Sequence, residues 1–259
     1  MAQIARYRVR LDKFLVVTTG NPTIDTSFDF RVDSGGKDPD THSPTLRRYH
    51  QLLWSRPLPG GTLLALDREG GYLHHRSTLG EFWLSSDSVL ASFTGHLSMA
   101  AITSQFSAVE LAEFDRIGST IGGMTIFPSQ KIDNKPTING ARGMHPKIKD
   151  RMDLTLECIR RYYCKERSPL SDTLARYDDF FALFGNFNGY VDFFLFDDLL
   201  SSTGAVRFFM PFDDFRPPAV PTDTEAYRQF RDLSVDFVEA RNRRIASVAL
   251  YAPTREGAT

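Results

Sequence analysis

Two cysteines in 259 residues leave nothing from which to build a disulfide framework. Cys158 and Cys164 fall in one expected helix, where a spacing of six turns them about 240° apart and separates them by about 9 Å along the axis. A disulfide needs Cα atoms within about 7 Å, so this pair cannot bond within that helix. Two thiols without a framework point to a reducing cytoplasm. Net charge is equally scarce. The 31 basic and 32 acidic side chains leave a formal charge of -1, which removes any whole-chain argument for nucleic acid or an anionic membrane surface but leaves room for a local basic patch. No stretch approaches the roughly 18 apolar residues of a membrane helix, and the run Phe14-Leu15-Val16-Val17 behind Arg6, Arg8 and Arg10 is too short for a secretory core. Gly-x-Ser-x-Gly, Cys-x-x-Cys and His-Glu-x-x-His are absent, as are internal repeats, heptad runs and low-complexity tracts.

What is present is aromatic bulk. The 21 Phe, 9 Tyr and 2 Trp imply a sizeable core, and the chain reads as one domain over 1–259. Strands are expected within 8–17, at Thr26–Asp33 (where Phe28, Phe30 and Val32 alternate with Asp29, Arg31 and Asp33), at Thr62–Asp67, Tyr72–Arg76 and Glu81–Ser85 as an antiparallel meander, at Ile121–Phe127 and at Val206–Phe212. Ser43-Pro44 reads as an N-cap with proline at N1, opening a helix to Ser55. Further helices are expected at Ser107–Ile117, from His145-Pro146 through Ile148, Met152, Leu156, Ile159 and Tyr163, from Ser168-Pro169 to Phe184, within Tyr190–Leu200, and at Thr224–Ser247. Ser129 to Gly143 reads as a long polar loop. Strands mostly precede helices, so the expected class is α+β: a mainly antiparallel sheet from the amino-terminal third and middle, packed by helices from the carboxyl-terminal half.

The segments Phe28-Asp29-Phe30-Arg31, Lys37-Asp38-Pro39-Asp40, Ser43-Pro44-Thr45-Leu46-Arg47-Arg48-Tyr49-His50, Leu53-Trp54-Ser55-Arg56-Pro57-Leu58-Pro59 and Thr137-Ile138-Asn139-Gly140-Ala141-Arg142-Gly143, with the helix from Asp153 to Arg161, carry a resemblance. Over roughly residues 25 to 215 the chain resembles an uncharacterised bacterial family, a domain of unknown function. The resemblance implies no activity and transfers no catalytic residue or cofactor.

Two places could hold chemistry. The first is the polar cluster Asp29, Arg31, Asp33, Asp38, Asp40 and His42, with Tyr49 and His50 on the next helix. Carboxylates and imidazoles ligate divalent metals, and Asp38-x-Asp40-x-His42 in extended chain would aim three ligands one way. The same residues equally serve as loop and cap formers that bond nearby amides. His50 follows Leu46 by four and precedes Leu53 by three, which places it near the buried helix face, as a general base or as a satisfied core histidine. The second place is the junction Asn139 to Lys149, where two glycines permit close backbone approach and Arg142, Lys147 and Lys149 supply positive charge suited to phosphate. Ile121-Gly122-Gly123-Met124 does not match a dinucleotide fingerprint, because its glycines precede a strand. Arg241, Arg243 and Arg244 read as a solvated helix end.

Two functions follow. One is an intracellular enzyme acting on a phosphorylated small molecule or nucleic acid, with His50, Tyr49, Asp29 and Asp33 as catalytic groups and Arg31, Asn139, Arg142, Lys147 and Lys149 holding the anion. It requires the His50 and Arg142 clusters to share a cleft. The other is a non-catalytic interaction protein, which predicts a large exposed apolar patch along the last helix.

Overall fold

The computed structural model describes residues 23–250, and the strand expected within 8–17 lies outside them. One antiparallel sheet organises the described chain, in the order β1 (Asp67–Glu69), β2 (Tyr72–Ser77), β3 (Gly80–Ser88), β4 (Met124–Pro128). Leu73 faces Leu84 across β2 and β3, while Ser86 faces Ile126 and Asp87 faces Thr125 across β3 and β4. Helices α1 (Pro39–His42) and α2 (Pro44–Trp54) precede the sheet, and α3 (Ala100–Thr103) and α4 (Ala108–Gly118) fill the long β3–β4 connection. After it come α5 (Ile138–Met144), α6 (Met152–Tyr163), α7 (Ser171–Leu174), α8 (Asp178–Ala182), α9 (Phe187–Phe194) and α10 (Thr224–Ser247). The class is α+β, as expected. No helix of the described residues is long and apolar enough to cross a membrane.

The elements with the strongest local signals form where the sequence placed them. Ser43 caps α2 by accepting from the Leu46 amide at 3.0 Å, with Pro44 at the first helical position. Ser107 and Glu110 close a reciprocal capping box on α4. Asp223 accepts from the Ala226 amide to start α10, whose Tyr227, Phe230, Phe237 and Val238 are buried.

Elsewhere side-chain chemistry displaces the expected element. Thr26–Asp33 is a series of turns, not a strand: Asp25 accepts from the Ser27 amide and Asp29 from the Arg31 amide, and such local bonds outcompete a sheet ladder. Phe30 is buried while Val32 is exposed, so the alternation does not mark one face. Thr62–Asp67 contributes only its last residue to β1. The expected strand Ile121–Phe127 begins as a 3-10 turn over Ile121–Gly123. Val206–Phe212 forms no strand, since the Phe209 amide donates to the Asp153 carboxylate and Val206 makes an isolated bridge to Leu200. The supposed loop 129–143 contains α5, capped by Thr137. The helix expected from His145 starts at Met152, because Lys149 and Asp150 adopt left-handed backbone at φ 50° and 59°. The helix expected from Ser168 to Phe184 is broken into α7, a 3-10 turn and α8.

The core is strongly aromatic around α8 and α9. Tyr190 and Phe194 have ring centroids 4.7 Å apart, and Phe184 lies 5.2 Å from Phe194. The carbonyls that the end of α9 leaves without intrahelical partners are taken by cations: Arg56 donates to the carbonyls of Asp192 and Phe193, and Arg241 to that of Phe194. Arg241 is therefore not part of a solvated helix end. It is wholly buried, lies over the Phe196 ring at 4.5 Å and also donates to the Gly122 and Met124 carbonyls. Its spacing of four after Phe237 and four before Ile245 puts it on the buried stripe of α10. Of the glycines in Ile121-Gly122-Gly123-Met124, Gly122 serves the same contact, while Gly123 packs against the Gly118 backbone at the end of α4. The Gly122 amide donates to Asn242 Oδ1 at 2.7 Å, and a Cβ there would lie 2.5 Å from the Val238 carbonyl oxygen. Gly122→Ala is expected to push α10 off the sheet at a cost of about 1–3 kcal/mol, read as a fall of several degrees in melting midpoint.

Candidate functional site

Asp40 reaches the sheet through local chain chemistry. Asp38 accepts from the Asp40 amide and Pro39 supplies the helical φ, winding residues 39–42 into the single turn of α1 against β3. That turn also dismisses the extended ligand set. Helical residues two apart point about 200° away from each other, so Asp40 points away from the side shared by Asp38 and His42, and among the described residues no group of three His, Cys, Asp or Glu could hold a metal ion.

A directional hydrogen-bond chain ends on Asp40. The Trp54 indole N–H can only donate, and it does so to His50 Nδ1 at 3.0 Å. His50 therefore carries its proton on Nε2, which donates to Ser86 Oγ at 3.0 Å. Ser86 in turn donates to Asp40 Oδ1 at 2.8 Å. Burial and the nearby Arg241 guanidinium push the His50 pKa down to about 3, so the imidazole stays neutral and its polarity is fixed. This runs opposite to a serine-protease triad, in which histidine takes the serine proton. His50 has no free acceptor; it orients Ser86 toward Asp40.

Asp40 itself titrates far from an ordinary carboxyl. Burial, then the charge of Asp87, then that of Asp38 raise its pKa to about 7 against the opposing Ser86 hydrogen bond. Beside it lies a cavity of about 240 Å³ lined by Asp38, Asp40, Ser88, Asp115, Met124 and Arg31, among others. Burial raises the Asp115 pKa as well. Arg31 is clamped by the Asp29 carboxylate at 2.6 Å, leaving the wall predominantly acidic.

Behind the strand sits a second charged assembly. Arg142 on α5 is fully buried and pairs with Asp87, while its Nε donates to Thr155 Oγ1 at 2.9 Å and its other terminal nitrogen to the Asp150 carbonyl at 2.9 Å. Burial raises the Asp87 pKa to about 6 even against the pull of Arg142. The His50 and Arg142 clusters thus reach neighbouring residues of β3, Ser86 and Asp87. Successive strand side chains leave on opposite faces, so the clusters approach the sheet from opposite sides, and neither His50 nor Arg142 lines the Asp40 cavity.

The remaining sequence candidates scatter. The Tyr49 hydroxyl accepts from the Asp25 amide, with the ring packed on Phe30. Asp33 caps the start of α2, accepting from Ser43 Oγ at 2.5 Å and the Thr45 amide at 3.0 Å. Asp29 neutralises Arg31. Asn139 donates to the Ser86 carbonyl at 3.1 Å, and its own Oδ1 is buried without a partner among the described residues. Lys147 is exposed, and Lys149 is the left-handed residue beyond α5. Arg142 is the interior counter-ion of Asp87 rather than an open anion holder. Sequence reasoning missed Ser86, Asp87 and Trp54. The one available signal was Ser85-Ser86-Asp87-Ser88, an all-polar end to a strand whose Phe82 and Leu84 are apolar.

Neither the curated proteins nor the solved structures contain a match to this chain. Residues 24–245 match the model described as "Family of unknown function (DUF6994)", and the chain belongs to that family.

Proposed function

We propose that this protein is an enzyme in which Asp40 moves a proton on a small uncharged or cationic substrate held in the adjoining cavity. The observation that carries this reading is the Trp54–His50–Ser86–Asp40 chain, in which every donor is oriented onto one carboxyl that titrates near neutrality. A general acid–base works best when its pKa lies near the working pH. His50, Ser86 and Trp54 are positioning residues. Their hydrogen bonds favour the carboxylate, burial and Asp87 favour the acid, and the balance leaves both forms populated around pH 7.

The substrate class follows from the wall. With Asp38, Asp40 and Asp115 facing it and Arg31 already paired, an anion is disfavoured. At about 240 Å³ the cavity is below the roughly 300–1,000 Å³ of sites for drug-sized ligands, which argues for a small metabolite over a nucleotide or nucleic acid. A phosphorylated substrate draws little support from Arg142, whose guanidinium is engaged on all sides by Asp87, Thr155 and backbone carbonyls. The interaction-protein reading draws little from α10, since none of the exposed large apolar side chains lies on it. The two free cysteines, one of them exposed, suit an intracellular setting.

The test is a thermal-shift screen of small neutral and cationic metabolites, with phosphate and nucleotides alongside, against the full chain and Asp40→Asn. A ligand that raises the midpoint only when Asp40 is present, and is turned over with a rate following a group near pH 7, supports the proposal. Stabilisation by phosphate compounds alone, or equal binding to Asp40→Asn, overturns it. Asp40→Asn also has a defined effect without ligand. Between the ordinary value of 3.8 and about 7, the folded chain holds a proton at Asp40 that the unfolded chain has lost. Folding stability therefore falls as pH rises through that window. The variant, which keeps an acceptor for Ser86, is expected to match the wild type near pH 4 and to exceed it by about 2 kcal/mol or more at pH 8. Urea titrations at the two pH values read this difference.

A further inference from the structure

A second cavity, independent of Asp40, lies between α10 and the segment 198–209. Its volume is about 240 Å³. Leu199, Phe209 and Phe237, all buried, give it an apolar floor. Arg207 and Asp236, both exposed, bring opposite charges to the same cavity. Asp198 also lines it, but its carboxylate is held by Arg244 through two contacts of 3.1 Å.

The informative feature is that Arg207 and Asp236 do not close on each other. Elsewhere an arginine does close on a carboxylate within its reach, as Arg116 does with Glu113 at 2.7 Å and Arg76 with Glu81 at 3.0 Å. Neither the Arg207 guanidinium nor the Asp236 carboxylate has an ion-pair or hydrogen-bond partner among the described residues. Two unlike charges held apart on the wall of one apolar-floored cavity suit a molecule carrying both opposite charges and an apolar body. A simple anion would meet Asp236 and a simple cation would meet Arg207. The volume excludes a nucleotide-sized guest.

We propose that this cavity binds a free α-amino acid with an apolar side chain. Arg207 takes the carboxylate, for which its planar fork of donors is matched. Asp236 takes the ammonium group, and the side chain lies on Leu199, Phe209 and Phe237. The site is separate from the proton chemistry at Asp40, and the two readings stand or fall apart.

The experiment is calorimetric titration of the full chain with L-leucine, L-methionine and L-phenylalanine, alongside analogues that each lack one feature. Leucinamide has no carboxylate, N-acetyl-leucine has no ammonium group, and glycine has no apolar body. Binding of at least one of the three amino acids, with each analogue weaker by about tenfold or more, is expected from the loss of one charge-assisted bond or of the apolar contact. Arg207→Gln and Asp236→Asn, at exposed positions, are expected to keep the unliganded melting midpoint and to weaken binding by a similar factor, whereas Asp40→Asn keeps it. The proposal is overturned if none of the three binds at millimolar concentration, if leucinamide or N-acetyl-leucine binds as well as leucine, or if either charge variant binds like the wild type. The analogue series uses the unaltered protein, so it decides the matter even if a variant folds poorly.

Discussion

Asp153→Ala is expected to cost about 3–5 kcal/mol of folding stability, among the largest single losses available in this chain. The Asp153 carboxylate is fully buried and accepts from Arg151 at 2.5 Å and 3.1 Å and from the Phe209 amide at 2.9 Å. Arg151 is almost as deeply buried, over the Phe230 ring and in contact with the Ala219 carbonyl. Truncating the acid strands a guanidinium in this apolar setting and leaves the Phe209 amide unbonded, and each loss carries a desolvation penalty that no water can relieve. The pair is not thereby a net stabiliser. Replacing both partners together, as Arg151→Met with Asp153→Leu, is expected to recover most of the loss, because no charge is left alone. Urea unfolding of the three variants reads the result. A loss below about 1 kcal/mol for Asp153→Ala would show that water reaches the pair.

Arg142→Ala is expected to be comparably damaging, with a pH signature of its own. Asp87 already titrates near 6 with Arg142 beside it. Without the guanidinium only burial and neighbouring acids act on the carboxyl, so its pKa climbs further. The folded chain then holds the Asp87 proton over a wider range than the unfolded chain, and stability declines with pH across that range. The difference between Arg142→Ala and wild type is therefore expected to be smallest near pH 5 and to widen to about 3–5 kcal/mol by pH 8. Adding Asp87→Asn in the same background removes the stranded acid and is expected to restore part of the loss at pH 8 but little at pH 5. A gap that stays constant with pH would mean that Arg142 acts through packing on Phe127, over whose ring it lies at 5.3 Å, and not through charge.

These two arginines show where a reading of sequence stops. Arg142 sits between glycines in a basic stretch, and the local pattern marks an anion loop. Its neighbours in space are Asp87, 55 residues away, and Thr155 on the next helix. Arg241 looks like one of three cations at a helix end, yet only Arg243 is largely exposed, while Arg244 pairs with Asp198 and Arg241 is interior. Counting charges along the chain cannot separate them. Counting the period of α10 could have done so, since Arg241 falls in step with Phe237 and Ile245.

His50 was legible as a buried-face histidine from its spacing to Leu46 and Leu53, and it is buried with both nitrogens engaged. Its partner Ser86 was not legible, because nothing in a serine at a strand end announces a contact 36 residues away.

Sequence by itself determined the parts whose causes are local. The Ser43-Pro44 start of α2, the β2–β3 hairpin and the full span of α10 from Thr224 to Ser247 follow from caps, turns and periodicity within a few residues. It also grouped the acidic residues Asp29, Asp33, Asp38 and Asp40, but they are indistinguishable there. Only the tertiary structure singled out Asp40, by folding α1 onto β3 so that Ser86, 46 residues along the chain, donates to it while Asp87 raises its pKa. A carboxyl's proton affinity is set by the water it loses and the charges it gains, and both arrive from elsewhere in the chain.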